Sequence, residues 1–585
     1  MGLLQAAYRT YQTQAHRAGV AVEGEKEPLT PVAHIVQNAQ LEITISDDGV
    51  FQSAQTVPKE ENKTIIPATI ESANRTGPCP HPLCDQLKYL MPDGGQAYEA
   101  YVAQLTAWAE SAFTHPKVRA VLAYIKGGSI LSDLIAAGLV APEDKADKFG
   151  SWLVRWRILP KPENASAECW RDASLFDSFI QFFTAQCETL PKDICMLSGQ
   201  QDIFCDKHLK GVIAAHGNAK LISSNDKIGY TYRGRFTKAE EAFNVGYLSS
   251  QMAHSALRWI VSNHGVMAGK RTFLCWNPEG IPVPSFALLG LPESSTPDFP
   301  SYRQNLQDTL DGYRQGLTDQ DVVVAALDAA TTGRLSVTYY NELEGSDFLN
   351  HIERWYTDCC WDSYRYGVQS PSIRRIVNCA FGTEQDQFIK ADDRVLREHV
   401  QQLLPCIVDC KPVPEDILRA LVTRAGMPLA YKRANREALL ETACAIIRKF
   451  RKDKKKEEWT LALDTSCNDR SYLFGRLLAV AEKVERSTYG KEEDRETNAI
   501  RMQTVFAQRP LYAWHLIDER LNPYFARLKP RLREYYKNII GEITDKLDRR
   551  DPDLNKSLDD VYLLGYYQQR TALYQKKETS VTEEE

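Results

Sequence analysis

The chain has 585 residues and a mass of 66.3 kDa, more than one hydrophobic core ordinarily serves, so two or more domains are expected. Its content of 43% hydrophobic, 10% aromatic and 25% charged residues excludes a disordered protein. The net charge of −6 argues against a nucleic-acid binder until its distribution is read: residues 427–585 carry 31 Lys/Arg against 27 Asp/Glu, a local +4, whereas residues 1–426 carry −10. Lys432 to Lys456 alone holds ten basic and three acidic residues. A basic block on an acidic chain points to one local anionic partner.

At the front, Leu4, Tyr8 and Tyr11 fall on one face of a short amphipathic helix. The same segment lacks the basic and apolar regions of a signal peptide, and Ala6 breaks the myristoylation pattern. Nowhere does the chain approach the roughly 18 continuous apolar residues of a membrane span. A soluble, cytoplasmic protein with no membrane partner is expected. Leu41, Ile43 and Ile45 alternate into Asp48-Gly49, a hairpin signal, and Val50 and Phe51 begin the return strand. Cys79, His81 and Cys84 offer soft metal ligands but lack a fourth at the usual spacing, so they read as a Pro-rich loop. The fourteen cysteines are scattered without a CxxC pair, as reduced thiols would be. No metal and no cofactor is expected.

Helices are predicted over Ala103–Phe113 and Ser250–Ser262, and strands over Ala219–Ser223, Arg271–Trp276, Val322–Leu327 and Leu335–Tyr339. Pro278–Pro284 and Pro292–Pro300 punctuate this mixed region. After about residue 385 the strand signals stop. Leu473, Leu477, Val480 and Val484 mark one helix face; Leu532, Tyr536, Ile539, Ile543 and Leu547 mark another. Ser557-x-x-Asp560 reads as a capping box opening a last helix over Val561–Tyr574. The expected architecture is an α+β N-terminal region, residues 1–384, followed by an all-α C-terminal helical bundle, residues 385–585.

Catalytic signatures are absent. Gly265 to Thr272 looks like a phosphate loop but is one residue short of Walker A, and Arg271 replaces its Ser or Thr; a strand and turn is the reading. The eleven histidines occur singly. What stands out is a polar stretch of glycines with Asn, Ser and Lys donors, from Ser198-Gly199-Gln200 through Lys210-Gly211 and Gly217-Asn218 to Ser223, Asn225 and Lys227, followed by Tyr232-Arg233-Gly234-Arg235. Glycines let a backbone approach phosphates or a groove closely, and aromatics beside Arg suit stacking or wedging against bases.

Several of these stretches resemble a known family. Ser198-Gly199, His208-x-Lys210-Gly211-Val212 and Leu221-Ile222-Ser223-x-Asn225 are similar to the central signature of the large subunit of the type I-C CRISPR Cascade. Tyr472-Leu-Phe-Gly475-Arg476-Leu-Leu-Ala-Val-Ala-Glu482-Lys483 and Leu564-Gly565-Tyr566-Tyr567-Gln568-Gln569-Arg570 resemble two of its C-terminal motifs. Arg75-Thr76-Gly77-Pro78 and Leu83-Cys84-Asp85-x-x-x-Tyr89 fit its front region. The matches follow the family's order over roughly residues 1–575. Ser224, Gln568 and Gln86 depart from it, standing where the family has Phe, His and Lys.

The resemblance implies a non-enzymatic subunit of an antiviral surveillance complex. It would read the protospacer-adjacent motif on double-stranded target DNA, promote duplex opening and R-loop formation, and help recruit the helicase-nuclease. Its implied partners are the guide crRNA, the target duplex and displaced single strand, and the backbone, handle-binding and small subunits. Asn74, Arg75 and Thr76 with Asn218, Lys220, Ser223 and Asn225 are the candidates for motif reading. Gln200, Gln201 and Tyr232 are wedge candidates. Lys227, Arg233 and Arg235, with Arg448, Lys449, Arg451, Lys452, Lys454, Lys455 and Lys456, are candidates for phosphate contact. Arg476 and Arg570, beside Gly475 and Gly565, are read as helix-packing residues. Met427 stands as a possible internal start for a separate small subunit. A nuclease or ribonuclease whose histidines converge in space, and a purely architectural scaffold, are the alternatives.

Overall fold

The computed structural model describes residues 2–73, 75, 77–159, 166–223, 233–284, 299–331, 333–386, 388–490 and 495–574. Mixed strands and helices occupy the chain up to Lys390, and among the described residues from Asp393 to Tyr574 helices follow without a further strand, so the expected fold class holds. Two compact units are present. The first comprises Met1–Val266, Arg271–Val283 and Asp321–Glu342; the second comprises Met267–Lys270, Pro284–Gln320 and Leu343–Glu585. In this division the helices Phe299–Leu317 and Gly345–Asp358 group with the C-terminal helices. No helix among the described residues is long and apolar enough to cross a membrane.

The first unit is built on β2 (Leu41–Ser46). β3 (Phe51–Thr56) pairs antiparallel to it and β5 (Val154–Leu159) pairs parallel. A separate ribbon joins β1 (His34–Asn38) to β4 (Lys63–Pro67). The alternating Leu41, Ile43 and Ile45 are fully buried, as period-two patterning requires. The hairpin turns at Gly49, whose φ of +80° favours glycine; a Cβ there would also lie 2.7 Å from the Ala120 carbonyl. β5 is the strand that patterning missed. Its Arg155 and Arg157 lie opposite Glu42 and Thr44, and both guanidiniums meet the Glu42 carboxylate, at 2.7 and 2.8 Å. Burial raises the Glu42 carboxyl, but Arg157 and Arg155 outweigh it and hold the group below its usual range. A charged strand is thus buried only because its partner supplies the counter-charge.

The expected helix at the front spans Leu3–Gln14 and packs on the helix Tyr247–His264. Its buried face is Leu3, Ala6, Ala7, Thr10 and Tyr11; Leu4 and Tyr8 sit half-buried at the margins. The helix predicted over 103–113 runs instead over Gln96–Ala109. Arg271–Trp276 pairs antiparallel with the strand Asp321–Thr331, and Arg334–Glu344 extends that sheet. The phosphate-loop-like segment is a short strand, Val266–Ala268, and a turn at Gly269 with φ +59°.

In the second unit, the helix Arg470–Arg486 is enclosed on every side rather than along one face: Leu478, Ala479 and Ala481 are as buried as Leu473, Leu477, Val480 and Val484. The cause is its contact with the helix Tyr562–Tyr574. A Cβ on Gly475 would stand 2.0 Å from the Tyr562 carbonyl oxygen, and one on Gly565 would stand 2.2 Å from that of Tyr472. Each glycine therefore admits the other helix's backbone. Arg476 is 1% exposed and donates to Gln569 Oε1 at 2.9 Å, and Arg570 grips Glu437 through both terminal nitrogens. Both arginines hold helices together, as read from their position beside the glycines. Two expectations need correction. Of the predicted face on the helix Pro530–Lys546, only Tyr536 and Ile543 are buried, and Leu532 is 37% exposed. The Asp560 carboxylate accepts from Arg451 Nε at 2.8 Å, and the last helix opens at Tyr562.

Candidate nucleic-acid interface

The central polar stretch begins with a hairpin, Lys192–Ile194 against Gln201–Ile203. Gly199 turns it with φ +69°, leaving Gln200 and Gln201 exposed at its end beside the equally exposed Ile194 and Met196. The hairpin is anchored from behind. Asp202 accepts from the Ser249 backbone N–H at 2.8 Å and its hydroxyl at 2.7 Å, capping the first turn of the helix Tyr247–His264. At Gly246 any Cβ would lie 2.2 Å from the Asp202 side chain, so the capping carboxylate needs glycine there.

Further along, His208 is buried against Ser250 Oγ at 2.8 Å, and burial pushes its imidazole down to about 3. It is a packed core histidine. Gly211, at φ +78°, turns the chain so that Lys210 and Lys220 face each other across a single antiparallel bridge. Residues 219–223 are not the strand that was predicted. Lys220 alone is bridged, on its other side to Arg334 at the start of the strand Arg334–Glu344, with Lys220 N donating to Gly333 O at 3.1 Å and Leu335 N donating to Lys220 O at 2.9 Å. The segment has one pairing point on each side because it is a loop crossing the end of a hairpin. Burial, and then the charge of Lys210, hold the Lys220 ammonium below its usual value; an anion brought to the site would relieve that repulsion.

Asn218 is exposed, and its Oδ1 accepts from Lys210 Nζ at 3.4 Å. Both residues line a cleft of about 470 Å³, together with Gln37, Asn38 and Lys63 at the end of the β1–β4 ribbon, His254, Ser255 and Arg258 of the helix Tyr247–His264, and Ala73 of the short helix Ile70–Ala73. The last contact matters because Ala73 precedes the front motif. Two stretches about 145 residues apart in sequence thus meet at one cleft; among the described residues no carboxylate lines it, but the buried Glu27 behind the wall pairs with Lys63 and Arg258 and leaves Lys210 as the lining lysine without a carboxylate. Gln37, Asn38 and Lys63 were not anticipated. Only the antiparallel register, Asn38 opposite Lys63, places them together, and no local pattern encodes that.

The remaining candidates divide. Asn74, Thr76, Asn225, Lys227 and Tyr232 lie outside the described residues. Ser223 is exposed, and Arg235 is exposed over the Phe236 ring at 5.1 Å. Arg233 Nη1 is held by Thr237 O at 3.1 Å. Arg75 is not an outward-facing reader: its guanidinium pairs with the fully buried Asp85 at 2.8 Å, bonds Cys79 O at 3.1 Å and covers the Tyr89 ring. It fixes the loop that leads from the cleft. The Cys79–Cys84 segment is likewise occupied with structure, His81 Nδ1 meeting Ser72 Oγ at 3.1 Å, and no group of three metal-ligating side chains occurs among the described residues.

The basic block also needs correction. Lys449 is 1% exposed and paired with Asp453 at 2.6 Å. Arg451 is paired with Asp560, and Lys452 bonds Asp358 at 2.9 Å. The Arg448 guanidinium bonds the carbonyls of Thr357, Asp358 and Trp459, all within 3.0 Å. Because the helix Arg433–Phe450 ends inside the unit, these four cations serve as internal ties. Lys454, Lys455 and Lys456 follow the turn outward and are exposed, with Lys456 in a left-handed conformation of φ +59°.

No curated protein matches the chain. The family of CRISPR-associated protein (Cas_Csd1) matches residues 8–574, and the cleft, the glycine crossing and the front loop all fall within that span. The chain therefore belongs to the Cas_Csd1 family, the large subunit of the type I-C CRISPR surveillance complex.

Proposed function

We propose that this subunit reads the protospacer-adjacent motif of double-stranded DNA through the cleft of its first unit. The observation that carries the reading is the convergence of Asn218, Lys210, Gln37, Asn38 and Lys63 on a cleft that no described carboxylate lines. Amide groups both donate and accept, so they suit base edges in a groove, while lysines hold the flanking phosphates. Target sequence is left to the guide crRNA, so a short motif reading suffices. The exposed Gln200–Gln201 turn would enter the opened duplex, with Met196 as an apolar neighbour able to wedge between bases. Lys220, Arg235 and Lys454–Lys456 would hold phosphates of the duplex and the displaced strand. In this reading the subunit is non-catalytic, works in the prokaryotic cytoplasm among backbone, handle-binding and small subunits, and helps recruit the helicase-nuclease.

A mobility shift of the assembled guide complex on matched DNA tests it. Asn218→Ala and Lys220→Ala should abolish the preference for an intact over a mutated motif. Retained discrimination in both variants would reject motif reading at this cleft, and metal-dependent cleavage by the isolated chain would reject the non-catalytic role.

A further inference from the structure

A cavity of about 580 Å³ in the second unit lies between the helices Arg433–Phe450, Arg470–Arg486, Asn498–Gln508 and Tyr562–Tyr574. Its size is that of a small-molecule site. At its mouth a tight turn joins Trp361–Ser363 to Gly367–Gln369 and carries Tyr364-Arg365-Tyr366. The two tyrosines are 61% and 51% exposed, among the most exposed large hydrophobic side chains of the described residues. They are nonetheless placed: the Tyr364 backbone N–H donates to Tyr567 OH at 3.0 Å, its ring lies 6.3 Å from that of Tyr574, and Arg365 stacks over Tyr366 at 5.2 Å.

Charge is arranged by depth. Each carboxylate of the wall has a cation or hydroxyl on it. Glu437 holds Arg570; Glu441 takes Arg375 at 2.9 Å and Ser363 at 2.7 Å; Glu482 takes Tyr566 OH at 2.5 Å; and Glu496 takes Arg436 at 2.8 Å. Arg365 and Arg433, both exposed on the lining, pair with no carboxylate among the described residues. Deeper in, Gln503 is 1% exposed; its Nε2 donates to Ala425 O at 3.3 Å, but its Oε1 accepts from nothing among the described residues. A buried amide oxygen without a donor is costly and calls for one.

We propose that this cavity is a nucleotide-binding site. The base enters past Tyr364 and Tyr366, whose faces offer stacking, and its phosphate stays at the rim on Arg365 and Arg433. The wall arginines Arg375, Arg436, Arg486 and Arg570 are already taken by the wall carboxylates, so the phosphate stays at the rim on the two that are not, and the base goes in. Gln503 Oε1 accepts from an exocyclic amine, which cytosine, adenine and guanine possess and thymine lacks. The nucleotide is either free or one unit of a single strand; both present the same base and phosphate. The proposal is independent of motif reading, which resides in the other unit.

The test uses the full-length chain and labelled short oligodeoxycytidine and oligothymidine, two pyrimidine strands that differ at the amine, read by fluorescence anisotropy. Oligodeoxycytidine should bind at least about 5-fold more tightly, and Tyr364→Ala with Tyr366→Ala should weaken it about 10-fold or more. Ala434→Trp, at an exposed position of the lining, should block the cavity without removing charge, and Gln503→Met should erase the preference for cytosine. Competition by cytidine monophosphate assigns the site to free nucleotides; failure to compete assigns it to strands. Wild-type affinity in both the tyrosine variant and Ala434→Trp overturns the proposal, as does absence of binding to either oligonucleotide and to the monophosphate. Motif reading is measured separately, as discrimination between duplexes by the assembled complex, so failure here and failure of motif reading are distinguishable.

Discussion

The two units treat cationic side chains in opposite ways. In the first, which is drawn largely from the acidic part of the chain, Lys210 and Lys220 face each other on loops, and burial with the charge of Lys210 keeps Lys220 below its usual value against the weaker pull of Asp206. In the second, the densest basic run of the chain is folded inward, with Lys449, Arg451 and Lys452 each seated on an aspartate. The presented charge is therefore not the charge counted along the chain. A helix that ends inside a unit must tie down its last turn, and Arg448 does so by bonding three carbonyls. A loop pinned by single backbone bridges has no last turn to close, and no ion pair seats Lys210 or Lys220 among the described residues.

Three perturbations would break or sharpen that contrast. The largest acts on the first unit through pH. Burial pushes His34 and His254 down to about 4, and His81 and His208 down to about 3, from the usual 6.5. The folded unit keeps these imidazoles neutral while the unfolded chain protonates them, so their contribution is complete above 6.5 and is lost as pH falls toward the folded values. Each should cost about 1.4 kcal/mol per pH unit within that window. Hydrogen exchange of peptides from β1 and the helix Tyr247–His264 should show protection falling between pH 6.5 and 5; unchanged protection would contradict neutral buried histidines.

Next, Gly565→Ala should destabilise the second unit by about 3 kcal/mol, because the new methyl meets the Tyr472 backbone rather than a movable side chain. Urea unfolding followed by helical circular dichroism measures it, and a loss below about 0.5 kcal/mol would mean that the two helices separate freely. The smallest effects come from the basic block and separate its two kinds of cation. Lys449→Met should cost about 2 kcal/mol of stability by stripping the buried Asp453. Replacing Lys454, Lys455 and Lys456 together by Ala should change stability by less than about 0.5 kcal/mol, yet lower the salt dependence of single-strand binding by about two counterions. The reverse outcome would return the whole block to the surface.

Much of the fold was legible because its signals are local. The alternation of Leu41, Ile43 and Ile45 into Asp48-Gly49 specifies a hairpin through side-chain period and a glycine turn, and the end of strand signals near residue 385 marks the change to helices. Strand β5 was not legible, since Arg155 and Arg157 contradict a buried strand until Glu42 lies beside them. The site was partly legible. Asn218 and Lys220 were nominated from their glycine-flanked loop, whereas Arg75 was read as a contact although Asp85, ten residues on, takes its charge.

By itself the sequence determined the family, the order of mixed and helical regions, the first hairpin and the glycines at which two helices cross. Those features depend on neighbours within a few residues or on motifs that keep their order. Tertiary structure decided which charges face outward. A lysine carries the same charge wherever it lies in a sequence, and only packing settles whether an aspartate, as for Lys449, or open solvent, as for Lys454, stands opposite. It also decided that Asn38 and Lys63 join Asn218 at one cleft, because antiparallel register and loop crossing unite residues that no linear spacing connects.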